Sequence, residues 1–198
     1  MTEEATFRVV LASGFLAVFL ITLYHRLRSW ESNEQLDRRK EGLFVLATLR
    51  PIGLLLWLGV FAYLINPAWM TWSSLPLPSW LRWSGVAFFA AGIALLAGTL
   101  RQLGRNLTDT VVTRRDHTLV TGGPYHWVRH PFYDAMALLI VAMALLAANW
   151  FILVTGAVVF LLLVVRTRTE EAQLLARFGD EYRTYRDRTG RFLPRLRP

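Results

Sequence analysis

FYDAMALLIVAMALLAANWFILVTGAVVFLLLVV, residues 132–165, is the stretch on which the fold turns. After Asp134 its only marked polar break is Asn149-Trp150. A crossing of a hydrocarbon layer about 30 Å thick takes roughly 17–25 apolar residues, so this run is long enough to cross twice. Backbone amides find no partners in lipid, which makes each crossing helical, and nothing in the run alternates with the period of two that a barrel strand requires. The segment reads as a tight hairpin of two short helices.

Three more apolar runs precede it: Phe7 to Tyr24, Leu43 to Ile65 and Leu81 to Leu100. The expectation is an all-α, polytopic membrane protein of five transmembrane helices, forming one membrane domain over residues 1–198. Composition agrees, with 54% hydrophobic residues and a mean hydropathy of +0.35. Thr2-Glu3-Glu4 stand where a signal peptide carries a basic stretch, and no small-residue cleavage site follows, so the first helix is expected to stay in the mature protein.

Basic residues set the orientation. Arg26, Arg28, Arg38, Arg39 and Lys40 follow the first helix, Arg101, Arg105, Arg114, Arg115 and Arg129 follow the third, and nine arginines follow the fifth, whereas Pro67 to Ser79 carries no charge. By the positive-inside rule the N-terminus lies outside, and both large polar segments and the C-terminal tail lie in the cytoplasm. Trp69, Trp72, Trp80 and Trp83 then form an aromatic belt at the opposite interface. The net charge of +8 is accounted for by orientation and by attraction to anionic membrane lipid, without a nucleic-acid partner. The absence of cysteine excludes a disulfide, a thiolate zinc site and a thiol nucleophile, and no metal site is expected. One lysine against 21 arginines is a bias associated with GC-rich bacterial genomes, and hence with a bacterial cytoplasmic membrane.

Function has to come from three cytoplasmic pieces. The first, His25 to Glu41, mixes both signs and reads as a solvated connector. The second, Arg101 to Pro131, gathers His117, Gly122-Gly123-Pro124, Tyr125, His126, Arg129 and His130-Pro131. Gly and Pro fix a sharp bend there. Pro131 suits the first position of helix four, where a missing N–H costs nothing. Arg129 and His130 then stand at the positive end of a helix, ground suited to an anion such as a carboxylate. The residues alone leave a stiff re-entry loop and a binding loop as equal readings.

The third piece opens with Arg166, Arg168, Glu170 and Glu171. Arg166 and Glu170 share a helical face, but an exposed pair of this kind contributes only about 0.3–0.5 kcal/mol, so boundary arginines by themselves read as anchors. Gly179 is placed to stop the helix and Asp180 to cap a second one bearing Tyr182 and Tyr185. Arg50-Pro51 is expected to kink helix two, with Arg50 snorkelling to the interface or facing a cavity.

Read together, the second and third pieces resemble the isoprenylcysteine carboxyl methyltransferase family and, more distantly, the phospholipid N-methyltransferases. The resemblance runs from Leu100 to Pro194 through LRQLGRNLT, DHTLVTGGPYHWVRHPFYD, the hairpin and RTRTEEAQLLARFGDEYRTYRDRTGRFLP. It implies that residues 101–198 form a cofactor-binding portion for S-adenosylmethionine, and that the three helices of residues 7–100 set acceptor preference. It also implies that His117, Thr118, Leu119, Val120, Tyr125, His130, Pro131, Phe132 and Tyr133 surround the cofactor, with a further contact near Thr113. The resemblance further implies that Glu170 meets the cofactor ammonium and that Arg166 faces the acceptor carboxylate. The implied partner is a lipidic or small-molecule methyl acceptor. A phospholipid amine or a thiol as acceptor, and a non-catalytic assembly or transport subunit, stay open beside it. Oligomeric state is not legible.

Overall fold

The computed structural model describes residues 2–30, 45–104 and 118–195. Their architecture is all-helical. Helix α1 spans Glu3–Trp30, α2 Arg50–Ile65, α3 Ser79–Leu103, α4 Pro131–Ala147 and α5 Trp150–Arg188. Among the described residues the only β pairings are the isolated bridges Ser74 with Asn149 and Val128 with Gly190. α1, α2 with its preceding turn, α3 and α5 are each long and apolar enough to cross a membrane; α4, also apolar, has 17 residues.

The hairpin turns where the sequence places it, but its arms are unequal. α5 runs unbroken from Trp150 to the non-helical Gly179, roughly 43 Å at 1.5 Å per residue, well beyond what a bilayer core needs. The expected pair of short helices is therefore corrected: the apolar part, 150–165, is continuous with a charged extension that stands beyond it. Gly179 interrupts the helix where the sequence places a stop: its φ 52° and ψ −121° are non-helical, a backbone region that side chains with a Cβ rarely enter, and a second helical stretch bearing Tyr182 and Tyr185 follows it to Arg188. Asp180 Oδ1 accepts from Arg183 Nη1 at 2.9 Å.

The corner itself is fully occupied. Ala148 closes α4 in the left-handed region, and Asn149 caps α5 by accepting from Ile152 N at 3.2 Å. Buried Asn149 Nδ2 donates to Ser73 Oγ at 2.8 Å and Met70 O at 3.3 Å. Leu75 N donates to Ala148 O at 2.7 Å. The uncharged linker thus supplies the partners that an exposed turn at the membrane face takes from water.

Pro51 is accommodated rather than kinking mid-helix. Val45–Leu49 form a π-helical turn leading into α2, so the ring enters behind a widened turn, a common device where the regular ladder is interrupted. Arg50 begins α2 and is exposed.

α3 and α4 pack most extensively. Glycines allow the approach: a Cβ on Gly92 would press on Leu139, and one on Gly156 of α5 would collide with Ile140 of α4. Small residues at helix contacts let dispersion act where lipid removes the hydrophobic drive. The core holds Phe7, Leu11, Val60, Phe89, Leu96, Leu139, Leu146 and Ile152, while Leu16, Phe19, Leu54, Leu58, Leu161 and Val165 are exposed. Outward apolar faces of this kind are what a bilayer solvates.

A polar clasp that sequence reading missed closes the end opposite the charged extension. Arg82 Nη1 meets Glu4 Oε2 at 2.7 Å, Arg82 Nη2 donates to Leu146 O at 2.6 Å, and Tyr63 Oη donates to Glu4 Oε1 at 2.6 Å. The Arg82 guanidinium also lies 4.0 Å from the Phe7 ring centre. Four helices meet there. One arginine inside an apolar run was the only available signal.

Candidate active site

The site forms where the loop before α4, the charged extension of α5 and the tail after it converge. Val128 to His130 lie alongside Gly190 and Arg191: Arg129 N donates to Gly190 O at 2.8 Å and His130 N to Arg191 O at 3.1 Å. Gly190 is required by this contact, because a Cβ there would collide with the Leu193 carbonyl. Pro131 opens α4 as expected, with His130 as the preceding cap residue.

At that junction the positive helix end does receive an anion, and the anion is the protein's own. Glu171 Oε1 accepts from His130 Nε2 at 3.0 Å, Arg129 Nε at 3.1 Å and Arg191 Nε at 3.3 Å. Arg129 Nη1 also donates to Arg186 O at 3.1 Å and to Thr189 O. Burial works against a charge on Glu171, but the bond from His130 and the guanidinium groups of Arg129 and Arg191 outweigh it and hold the carboxyl down at about 2.

Glu170, one residue earlier and turned by a third of a helical circle, faces a different set. Tyr133 Oη donates to its Oε1 at 2.6 Å, and His130 Nδ1 lies 3.8 Å from its Oε2. The His130 and Tyr133 rings stack at 5.5 Å and 11°. Arg166 Nε comes within 3.0 Å of Glu170 Oε1 as an ion pair, yet its N–H points away from hydrogen-bond geometry, leaving a buried donor unspent. Buried donors left this way are uncommon and call for an explanation. Tyr182 Oη is a second such atom.

Beside this cluster opens a cavity of about 590 Å³ whose walls include Leu119, Thr121, His126, Tyr185, Arg188 and Thr189. Pockets for small ligands run about 300–1,000 Å³. His130, Tyr133, Arg166 and Glu170 do not line this cavity; the link is Thr189, a wall residue whose carbonyl accepts from Arg129 Nη1, while the wall residue Tyr185 donates through its Oη to Tyr125 O at 2.7 Å. Burial raises the pKa of the Tyr125 phenol, with Tyr185 and Glu170 adding to the effect.

Of the residues singled out in the sequence, His130, Pro131, Tyr133, Arg166 and Glu170 come together here. Leu119 lines the cavity, Tyr125 borders it through Tyr185, and Phe132 sits against the core with its ring 6.0 Å from that of Tyr133. Val120 is half-buried and Thr118 exposed. Thr113 and His117 lie outside the described residues. Sequence reading missed Arg191 and Phe192, whose ring lies 5.8 Å from that of His130. Nothing separated Arg191 from the other tail arginines, and only the backbone pairing brings it in.

Residues 85–176 match the family model described as the isoprenylcysteine carboxyl methyltransferase (ICMT) family. Among curated proteins, the protein-S-isoprenylcysteine O-methyltransferase of Schizosaccharomyces pombe is 32% identical over 114 residues, 56% of this chain and 48% of the relative. The human protein of the same name is 30% identical over 126 residues, 62% of this chain and 44% of its own. The cobalt-zinc-cadmium resistance protein CzcN of Cupriavidus metallidurans is 30% identical over 105 residues, 52% of this chain and 49% of that protein. The chain spans about half the length of the curated relatives it matches. Among solved structures, that of the eukaryotic intramembrane Ras methyltransferase ICMT superposes with a TM-score of 0.61 at 20% identity, covering 95% of this chain and 67% of the other. That likeness establishes a shared fold.

Proposed function

We propose that this chain, similar to the isoprenylcysteine carboxyl methyltransferase family over residues 85–176, is an integral-membrane methyltransferase that uses S-adenosylmethionine and methylates a lipidic or small acceptor, a carboxylate first of all. The observation that carries this reading is the meeting of His130 and Glu170, forty residues apart in sequence, in one buried cluster beside a cavity.

The residues present fit the cofactor. Glu170 offers a carboxylate to its ammonium, the cavity has room for a nucleoside, and the unspent Arg166 donor offers a partner to a carboxylate brought by the acceptor. When bound, S-adenosylmethionine supplies a methyl group on a sulfonium sulfur, which keeps the bonding electron pair as the methyl leaves. The protein's part is alignment in a dry pocket. Arg166 orients the acceptor carboxylate, Tyr133 and Arg166 hold Glu170, and the stacked rings of His130 and Tyr133, with Phe192 tilted against His130, exclude water.

A carboxylate is ionised at neutral pH and needs no base. An amine acceptor needs one, and His117, His130 and Glu171 are the candidates. Glu171, held at about 2 and engaged by His130, is too weak a base for that task. His117 and His130 stay as candidates, so an amine acceptor stays open beside the carboxylate. A thiol acceptor is the remaining enzymatic alternative.

In this reading α4 is a fifth crossing; its 17 residues span about 25 Å, a few ångströms short of a bilayer core, which tilt of its neighbours and local thinning accommodate. The N-terminus lies outside, and the loop before α4, the extension of α5 and the tail lie on the cytoplasmic side of a bacterial inner membrane. Residues 7–100 shape the acceptor's lateral entry, and residues 101–198 hold the cofactor. Thr113, His117, Thr118 and Val120 complete the cofactor's surroundings.

The test is transfer of labelled methyl from S-adenosylmethionine to a prenylcysteine or to a lipid extract. The reading expects a base-labile ester; a base-stable product moves the assignment to an amine or thiol. Calorimetry that detects no binding of the cofactor to protein in detergent sinks it. The similarity to a metal-resistance protein supports a second reading, a membrane subunit without catalysis, in which Arg166→Ala and Glu170→Ala leave the cellular role intact.

A further inference from the structure

Glu171 takes no step in the reaction above, yet it is the acceptor on which the site converges. Its Oε1 faces Arg129 Nε and His130 Nε2 from the loop and Arg191 Nε from the tail, at 3.1, 3.0 and 3.3 Å. An ionised carboxylate only accepts, so the imidazole nitrogen facing it carries a hydrogen. The other nitrogen, Nδ1, is then turned toward Glu170, whose Oε2 stands 3.8 Å away, beyond hydrogen-bond reach. Glu170 Oε1 lies on the side of Tyr133 and Arg166. With the ring in its neutral Nε2–H form, Oε2 and Nδ1 are two acceptors facing one another across a gap, a geometry suited to a ligand with several N–H donors and a positive charge. Stacking on Tyr133 and contact with Phe192 prevent the ring from escaping that orientation.

We propose that Glu171 is the positioning residue of this site: by accepting from His130 Nε2 it sets the imidazole tautomer, so that Nδ1 and Glu170 Oε2 together receive the primary ammonium of the ligand. The identity of that ligand rests on the methyltransferase reading; the positioning of His130 does not.

Both parts are read on the full chain in detergent micelles. ¹⁵N-histidine spectra report the tautomer, with the His130 signals assigned by their loss in His130→Gln. The wild type is expected to show the Nε2–H pattern. Glu171→Ala, and Glu171→Met, which keeps length but accepts nothing, lose that pattern, and Glu171→Asp restores it. Calorimetric titration with S-adenosylmethionine is expected to show affinity about tenfold weaker in Glu171→Ala, the scale of one charge-assisted bond, with recovery in Glu171→Asp. A wild-type His130 with both nitrogens protonated, an unchanged tautomer in both non-accepting variants, or unchanged affinity with only a lower melting temperature, overturns the proposal. Wild-type protein that does not bind the nucleotide overturns the functional reading instead, and the spectra then decide the positioning by themselves.

Discussion

Tyr133 donates to Glu170 Oε1 at 2.6 Å, a bond between the first turn of α4 and the charged extension of α5. It is short, as bonds to an ionised acceptor are. It also ties the two ends of a hairpin whose corner lies at the far end of α4. Tyr133→Phe keeps the ring stacked on His130 and removes only the hydroxyl. Cofactor affinity is expected to fall by roughly five- to tenfold, with a melting-temperature change of a few degrees, measured by titration and by thermal denaturation.

On the proposed function, Arg166→Ala is expected to lower methyl transfer by about a hundredfold or more, because the partner proposed for the acceptor is lost. Arg166→Lys recovers little, since an ammonium cannot reproduce the guanidinium fork. Cofactor binding stays near wild type in both. Initial rates with varied acceptor show whether the loss is in KM, kcat or both.

Gly190→Ala places a Cβ where the Leu193 carbonyl stands. The turn from Gly190 to Leu193 must open to relieve this, which is expected to disturb the placement of Arg191 and Phe192 against the site. Faster proteolysis of the tail and weaker cofactor binding are the expected results. A variant with wild-type protection of Arg129 and His130 amides in hydrogen exchange contradicts this.

Stability should respond to acid through Glu171. Its folded pKa is depressed to about 2 from an ordinary glutamate value near 4.5, so its contribution is complete above that ordinary value and fades as pH falls from about 5 toward 2. The wild type is expected to melt higher than Glu171→Gln at pH 7, with the gap narrowing below pH 5. A gap that is constant from pH 7 to 3 argues against the carboxylate as its source.

At the other end of the bundle, Arg82→Met takes the cation from Glu4, leaving it only the Tyr63 bond, and removes the guanidinium donors from the Leu146 carbonyl. A loss of about 1–3 kcal/mol is expected, seen as a lower melting temperature. Affinity for the cofactor in the folded fraction should not change, because the clasp and the site lie at opposite ends of α4.

The sequence by itself determined the helices and their punctuation. Length and apolarity are local properties, and lipid leaves the backbone no alternative to a helix, so the runs ending at Tyr24, Ile65 and Leu100 appear as α1, α2 and α3, Pro131 opens α4, and Asn149 marks the corner. What it left undecided was how far α5 continues, because charged residues extend a helix as readily as they end it. Only the tertiary structure joined His130 to Glu170 and Glu171, paired Gly190 with the loop, and brought Arg191 to the centre and Arg82 to Glu4. Those contacts link residues twenty to eighty positions apart, and an arginine's pattern in the chain carries no record of which carboxylate it will meet.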